Sequence, residues 1–256
     1  MPGWQVLRAE LHSKGVEIVT VSLELSGPEA SRKYIEAANP QHPSLLDPEH
    51  RMDALFGVIN IPNVIWINEE GMIVRPPEPG WPGERSAMPR ELFAAMPAMG
   101  RSTTAPKRTT PEVDRMALLS SGQSRTAYVD ALRDWADKGS DSKFALSPDE
   151  VIARSQPRPV SKSEGAAHFE LANHLWRAGA RESAIAHFKE SHRLQPDNWT
   201  YKRQAWSLLG NERVGGDVGR WVQGPVEGEE AMWPYKSDFS SDLAMLEAGE
   251  YYPATL

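Results

Sequence analysis

The chain has 256 residues, 40% of them hydrophobic and 25% charged, with a formal net charge of −7 and no cysteine. This acidic balance argues against a broad nucleic-acid footprint or a surface for anionic membranes, both of which need an excess of lysine and arginine. The lack of cysteine excludes disulfides and thiolate catalysis from these residues, and no apolar run approaches the ~20 residues of a membrane span. Without an apolar signal core at the N-terminus, the expected location is cytoplasmic.

Trp4, Leu7 and Leu11 recur at helical spacing and predict a first helix closed by Gly15. Val16–Leu25 reads as a strand. Ser26-Gly27-Pro28 then opens a helix to Ala38, with Pro28 suited to its first turn and Asn39-Pro40 to its end. His42–Asp47 is expected to be extended. Pro48–Phe56 is a short helix with Met52, Leu55 and Phe56 inward. Next comes the apolar strand Val64–Ile67, whose turn Asn68-Glu69-Glu70-Gly71 leads into a second strand from Met72, a hairpin in which Gly71 is free to take positive φ. Pro76, Pro77, Pro79 and Pro82 predict a polyproline-biased exit around Trp81, and Pro89–Met99 one more short helix.

Arg101–Pro111 is a polar linker, followed by a helix from Val113 and a stronger one over Ser124–Lys138 with Tyr128, Leu132 and Trp135 in a stripe. Ser147 and Glu150 form a capping box before another short helix. From Gly165, Leu171, Ala172, Leu175, Gly179, Ala184, Phe188 and Pro196 resemble one 34-residue tetratricopeptide-like repeat. His168 stands where the repeat's first aromatic is expected. Trp199–Leu209 is a third helix with Asn198 as its cap. The tail from Gly210 reads as an extended segment held by Trp221, Trp233, Tyr235, Phe239, Tyr251 and Tyr252.

Phe56–Ile73, with its Ile61-Pro62 step before an apolar strand and hairpin, resembles the second half of a thioredoxin-like domain of the redoxin branch, which includes the alkyl hydroperoxide reductases and thiol:disulfide interchange proteins. Val16–Leu23 is similar to that family's strand after its first helix. Met1–Leu11 is similar to the helix that follows its Cys-x-x-Cys motif, with Pro2 at a matching place. The resemblance implies an α/β fold: an incomplete thioredoxin-like domain followed by an all-α tetratricopeptide-like module. Its expected parts are residues 1–100 (redoxin domain), 101–111 (linker), 112–158 (connecting helices), 159–210 (tetratricopeptide-like helices) and 211–256 (tail).

In that family a central strand pairs with the equivalents of Ile18–Leu23 and of Val64–Ile67, and the reactive pair follows it. Neither feature is found in this chain. Each buried backbone group left unpaired costs ~1–3 kcal/mol against the ~5–15 kcal/mol a domain has to spare. The expectation is therefore that the sequence begins inside a longer frame, either through a start placed too late or through a selenocysteine codon read as a stop. A cysteine-free descendant is the alternative.

The resemblance implies a thiol or selenol oxidoreductase, of disulfide reductase or peroxidase class, whose reactive pair lies before Met1, so that this chain alone is inactive. The alternative is a non-catalytic protein-binding module. Ile61 and Pro62 would line the substrate groove, with the bond between them open to either isomer. Pro2 and Trp4 would lie on the near-site helix, Trp4 chiefly as core. Glu24 is a candidate relay. Asp47, Glu49, His50 and Asp53 read as capping and solvated charge, and the histidines show no metal-ligand spacing. No cofactor or metal is expected. Partners would be a protein disulfide, a peroxide or a small thiol, with a protein docked on the helical module.

Overall fold

The structure, a computed structural model, describes residues 2–83, 124–155, 157–214, 223–225 and 228–256. The linker at 101–111, the helices expected from Pro89 and from Val113, and Trp221 lie outside the described residues. Helices mix with small sheets, an α/β class. The chain divides into two compact units: Met1–Ser86 with Gln123–Val160 and Ala254–Leu256, and Ala87–Gly122 with Ser161–Pro253.

In the first unit, helix α1 (Pro2–Leu11) buries Leu7 and Leu11, and Gly15 closes the following 3-10 turn at φ +86°. Strand β1 (Thr20–Ser22) pairs in parallel with β2 (Ser44–Leu46), setting Thr20 opposite Ser44 with their hydroxyls 3.1 Å apart. The strand expected over Val16–Leu25 therefore contracts to the three residues for which β2 offers a partner. Between them, α2 (Pro28–Ala38) starts on its proline and ends at Asn39 in the left-handed region.

Helix α3 (Arg51–Phe56) begins three residues later than the sequence suggests, because the Asp47 carboxylate accepts from the Arg51 and Met52 N–H groups. This start also corrects the inward face. Leu55 is 76% exposed, and Asp53 takes the buried position.

Strand β3 (Asn63–Ile67) and β4 (Ile73–Pro79) form an antiparallel hairpin. Asn68 accepts from Gly71 N–H and, through its side chain, from Met72 N–H, while Gly71 sits at φ +78°. Strand β4 runs through Pro76, Pro77 and Pro79, where the sequence predicts a polyproline exit instead. Prolines have no N–H to give the ladder, and the register shifts between Val64 and Trp66 and again before Ile67.

Helix α4 (Arg125–Lys138), capped by Ser124, closes the core with Tyr128, Val129, Ala131 and Leu132 around Leu7, Leu11 and Trp66. Each large apolar side chain buried there contributes ~1.5–3 kcal/mol. Trp66 stacks on Trp135 at 5.0 Å and donates from Nε1 to the Tyr128 hydroxyl at 3.0 Å. Helix α5 (Pro148–Arg154) starts on the Ser147–Glu150 capping box.

The second unit contains α6 (Val160–Arg177), α7 (Arg181–Leu194) and α8 (Trp199–Val214). The buried stripe of α6 is Phe169, Ala172 and Trp176, while Leu171 is 42% exposed. Ala172, Ala184 and Phe188 are fully enclosed; Phe169 meets Phe188 edge-on at 5.7 Å and stacks on Tyr201 at 3.9 Å. Gly179 turns the chain at φ +82°, and Asn198 caps α8 by accepting from Tyr201 N–H. In the tail, a short helix α9 (Phe239–Leu243) starts on an Asp238–Ser241 capping box. Phe239 and Tyr251 pack edge-on against Trp199.

Candidate functional site

The segment Asp47–Pro62 leads from β2 through α3 to the start of β3. His50 adopts the left-handed region at φ +56°, which turns its ring inward. Its Nδ1 lies 2.6 Å from Asp53 Oδ2, and both residues are at most 2% exposed. Burial pushes the Asp53 carboxyl above the ordinary carboxylate range, and the hydrogen bond to His50 opposes that push. These two groups are therefore an enclosed pair, whereas the sequence reading made them solvated charge; Asp47 does cap. The spacing i, i+3 is visible in the sequence, but their depth follows from the left-handed turn at His50.

Asn60 is buried and its side chain accepts from Ile61 N–H at 2.9 Å. The Ile61–Pro62 peptide bond is cis. Ile61 is half-buried and Pro62 exposed, directly ahead of β3. Asp53 Oδ1 and Asn63 Oδ1 are enclosed acceptors with no hydrogen-bond partner among the described residues.

Pro2 is the first residue of α1, and Trp4 packs half-buried against the core cluster. The first turn of α1 lies against the segment after β4: a Cβ on Gly3 would stand 2.8 Å from Pro82 Cγ. No hydrogen bond or ring contact joins Trp4 to Pro62 among the described residues. One turn on, the Gln5 side chain accepts from Gln41 N–H at 2.7 Å and lies 3.3 Å from His42 Nδ1. Burial lowers the His42 pKa. Glu24 accepts from Ser26 N–H in the turn after β1.

Behind the hairpin lies an ion pair that the sequence reading missed. Arg75 and Glu78 are 2% and 3% exposed, and Arg75 donates from Nε and one Nη to the two Glu78 carboxylate oxygens at 2.6 and 2.7 Å. The remaining Arg75 donors reach the carbonyls of Phe144 and Thr255, and its plane lies 5.4 Å from the Trp66 ring. The Arg-x-x-Glu spacing is a signal in the sequence, but the prolines between the two residues point to a polyproline-biased exit.

The sheet arrangement defines the site further. β1 pairs only with β2 and β3 only with β4, as two separate two-stranded sheets among the described residues. The described residues contain no group of three or more His, Cys, Asp or Glu placed to hold a metal, and no helix long and apolar enough to cross a membrane. No protein-family model, curated protein or solved structure matches this chain.

Proposed function

We propose that residues 1–100 are the larger part of a thioredoxin-like oxidoreductase domain, working on disulfides or peroxides with a thiol or selenol. The reactive pair is supplied by a segment outside these 256 residues. The observation that carries this reading is the pairing of β1 and β3 in separate two-stranded sheets. They are the two strands that, in the resembled family, share one central neighbour. The unpartnered acceptors Asp53 Oδ1, in α3, and Asn63 Oδ1, on the first residue of β3, add to it, since an incoming segment would bring donors.

In the complete domain, a cysteine or selenocysteine ahead of α1 attacks the substrate sulfur or oxygen as an anion, stabilised by the N–H groups of the helix N-terminus. The second member of the pair then resolves the bond, so the pair is oxidised as the substrate is reduced. Ile61 and Pro62 form the wall of the substrate groove, with Pro2 and Trp4 on the helix behind the reactive pair.

A second reading, a non-catalytic binding module with a partner docked on the helices, is favoured by the lack of cysteine. The coding frame 5′ of the Met1 codon separates the two. The oxidoreductase reading expects an in-frame strand followed by two Cys or selenocysteine residues flanking two others. A frame closed there without a redox pair would reject it.

A further inference from the structure

In the second unit, α6 and α7 bring His168 and His187 together, a pairing invisible in sequence because the two lie 19 positions apart. Their Nδ1 atoms are 2.8 Å apart and their rings 5.0 Å, tilted by 33°. Both side chains are half-buried and so remain open to solvent on one side. Two imidazole nitrogens bound to one ion at ~2.0–2.1 Å stand about 2.8 Å apart at a right angle and about 3.4 Å apart in a tetrahedron. The observed separation fits the right-angled case, the geometry of square-planar Cu2+ or Ni2+.

Carboxylates flank the pair at helical spacing. Glu164 lies one turn before His168 on α6, and Glu190 one turn after His187 on α7. Arg193 holds Glu190 through both carboxylate oxygens.

We propose that His168 and His187 form a binding site for one divalent copper or nickel ion. Water fills the remaining positions. The site does not depend on the redox reading.

The test is a Cu2+ titration of the untagged full chain, read by calorimetry and electron paramagnetic resonance. The expected result is one ion per chain with nitrogen hyperfine splitting. His168→Gln and His187→Gln should each weaken binding at least about tenfold. Circular dichroism of each variant checks that the helices are retained. Absence of saturable binding, or binding that folded His168→Gln and His187→Gln proteins keep at full strength, would overturn the site and leave only a hydrogen-bonded histidine pair.

Discussion

At the scale of single residues, the buried charges set the sharpest expectations. Glu78→Ala leaves the Arg75 guanidinium enclosed with only two carbonyls and the Trp66 face as partners. Breaking one side of such a pair costs ~3–5 kcal/mol, a large share of a domain's stability. Urea denaturation should therefore show a large fall for Glu78→Ala, and a change below ~1 kcal/mol would mean the pair is solvated. Gly80 gives a second test, since a Cβ there would stand 2.5 Å from Val64 and 2.7 Å from Tyr128. Gly80→Ala should destabilise by ~1–3 kcal/mol through overpacking, read in the same denaturation experiment.

His192 carries a pH expectation. Its ring keeps some accessible edge, but Nε2 is enclosed without a partner among the described residues. Burial, helped by the Lys202 charge, lowers its pKa from the ordinary 6.5 to about 3. As pH falls below 6.5, the unfolded chain takes up a proton that the folded chain refuses, so folding is weakened progressively down to about 3. His192→Gln should flatten that slope in a stability series across this range; an unchanged slope would place the ring in water.

At the scale of elements, Asp47 is the critical cap, because both its oxygens serve the first N–H groups of α3. Asp47→Ala should lower stability by ~1 kcal/mol and loosen the turn that buries His50, seen as faster amide exchange over Arg51–Phe56. Local chemistry made several elements legible. The Ser147–Glu150 box, the Asn198 cap and the Gly71 turn are short-range patterns that the sequence states directly, whereas Ser124, read as the first helical residue, is the cap of α4. Partner-dependent features were harder to read. The length of β1 is set by β2, and β4 continues through prolines because its partner strand tolerates a shifted register. The repeat pattern singles out Leu171 and Leu175 on α6, whereas the stripe that is buried is Phe169, Ala172 and Trp176. Of the candidate site, Ile61, Pro62 and the hairpin were visible. The His50–Asp53 and Arg75–Glu78 pairs were not, since charged residues default to solvent until a fold encloses them.

At the scale of the whole molecule, β1–β2 and β3–β4 are two short sheets with no common neighbour strand among the described residues. In the proposed oxidoreductase, an added strand would give both a hydrogen-bonded edge and carry a redox pair to the N-terminus of α1. The tail contributes separately to the first unit, where the Thr255 carbonyl accepts from Arg75 and Arg154. The decisive measurement is dithiol-dependent reduction of a protein disulfide and of a hydroperoxide. It compares the purified 256-residue chain with the same chain joined to the segment encoded immediately upstream. The account predicts no turnover for the first and clear turnover for the second; turnover by the 256 residues alone, or none by the extended chain, would contradict it.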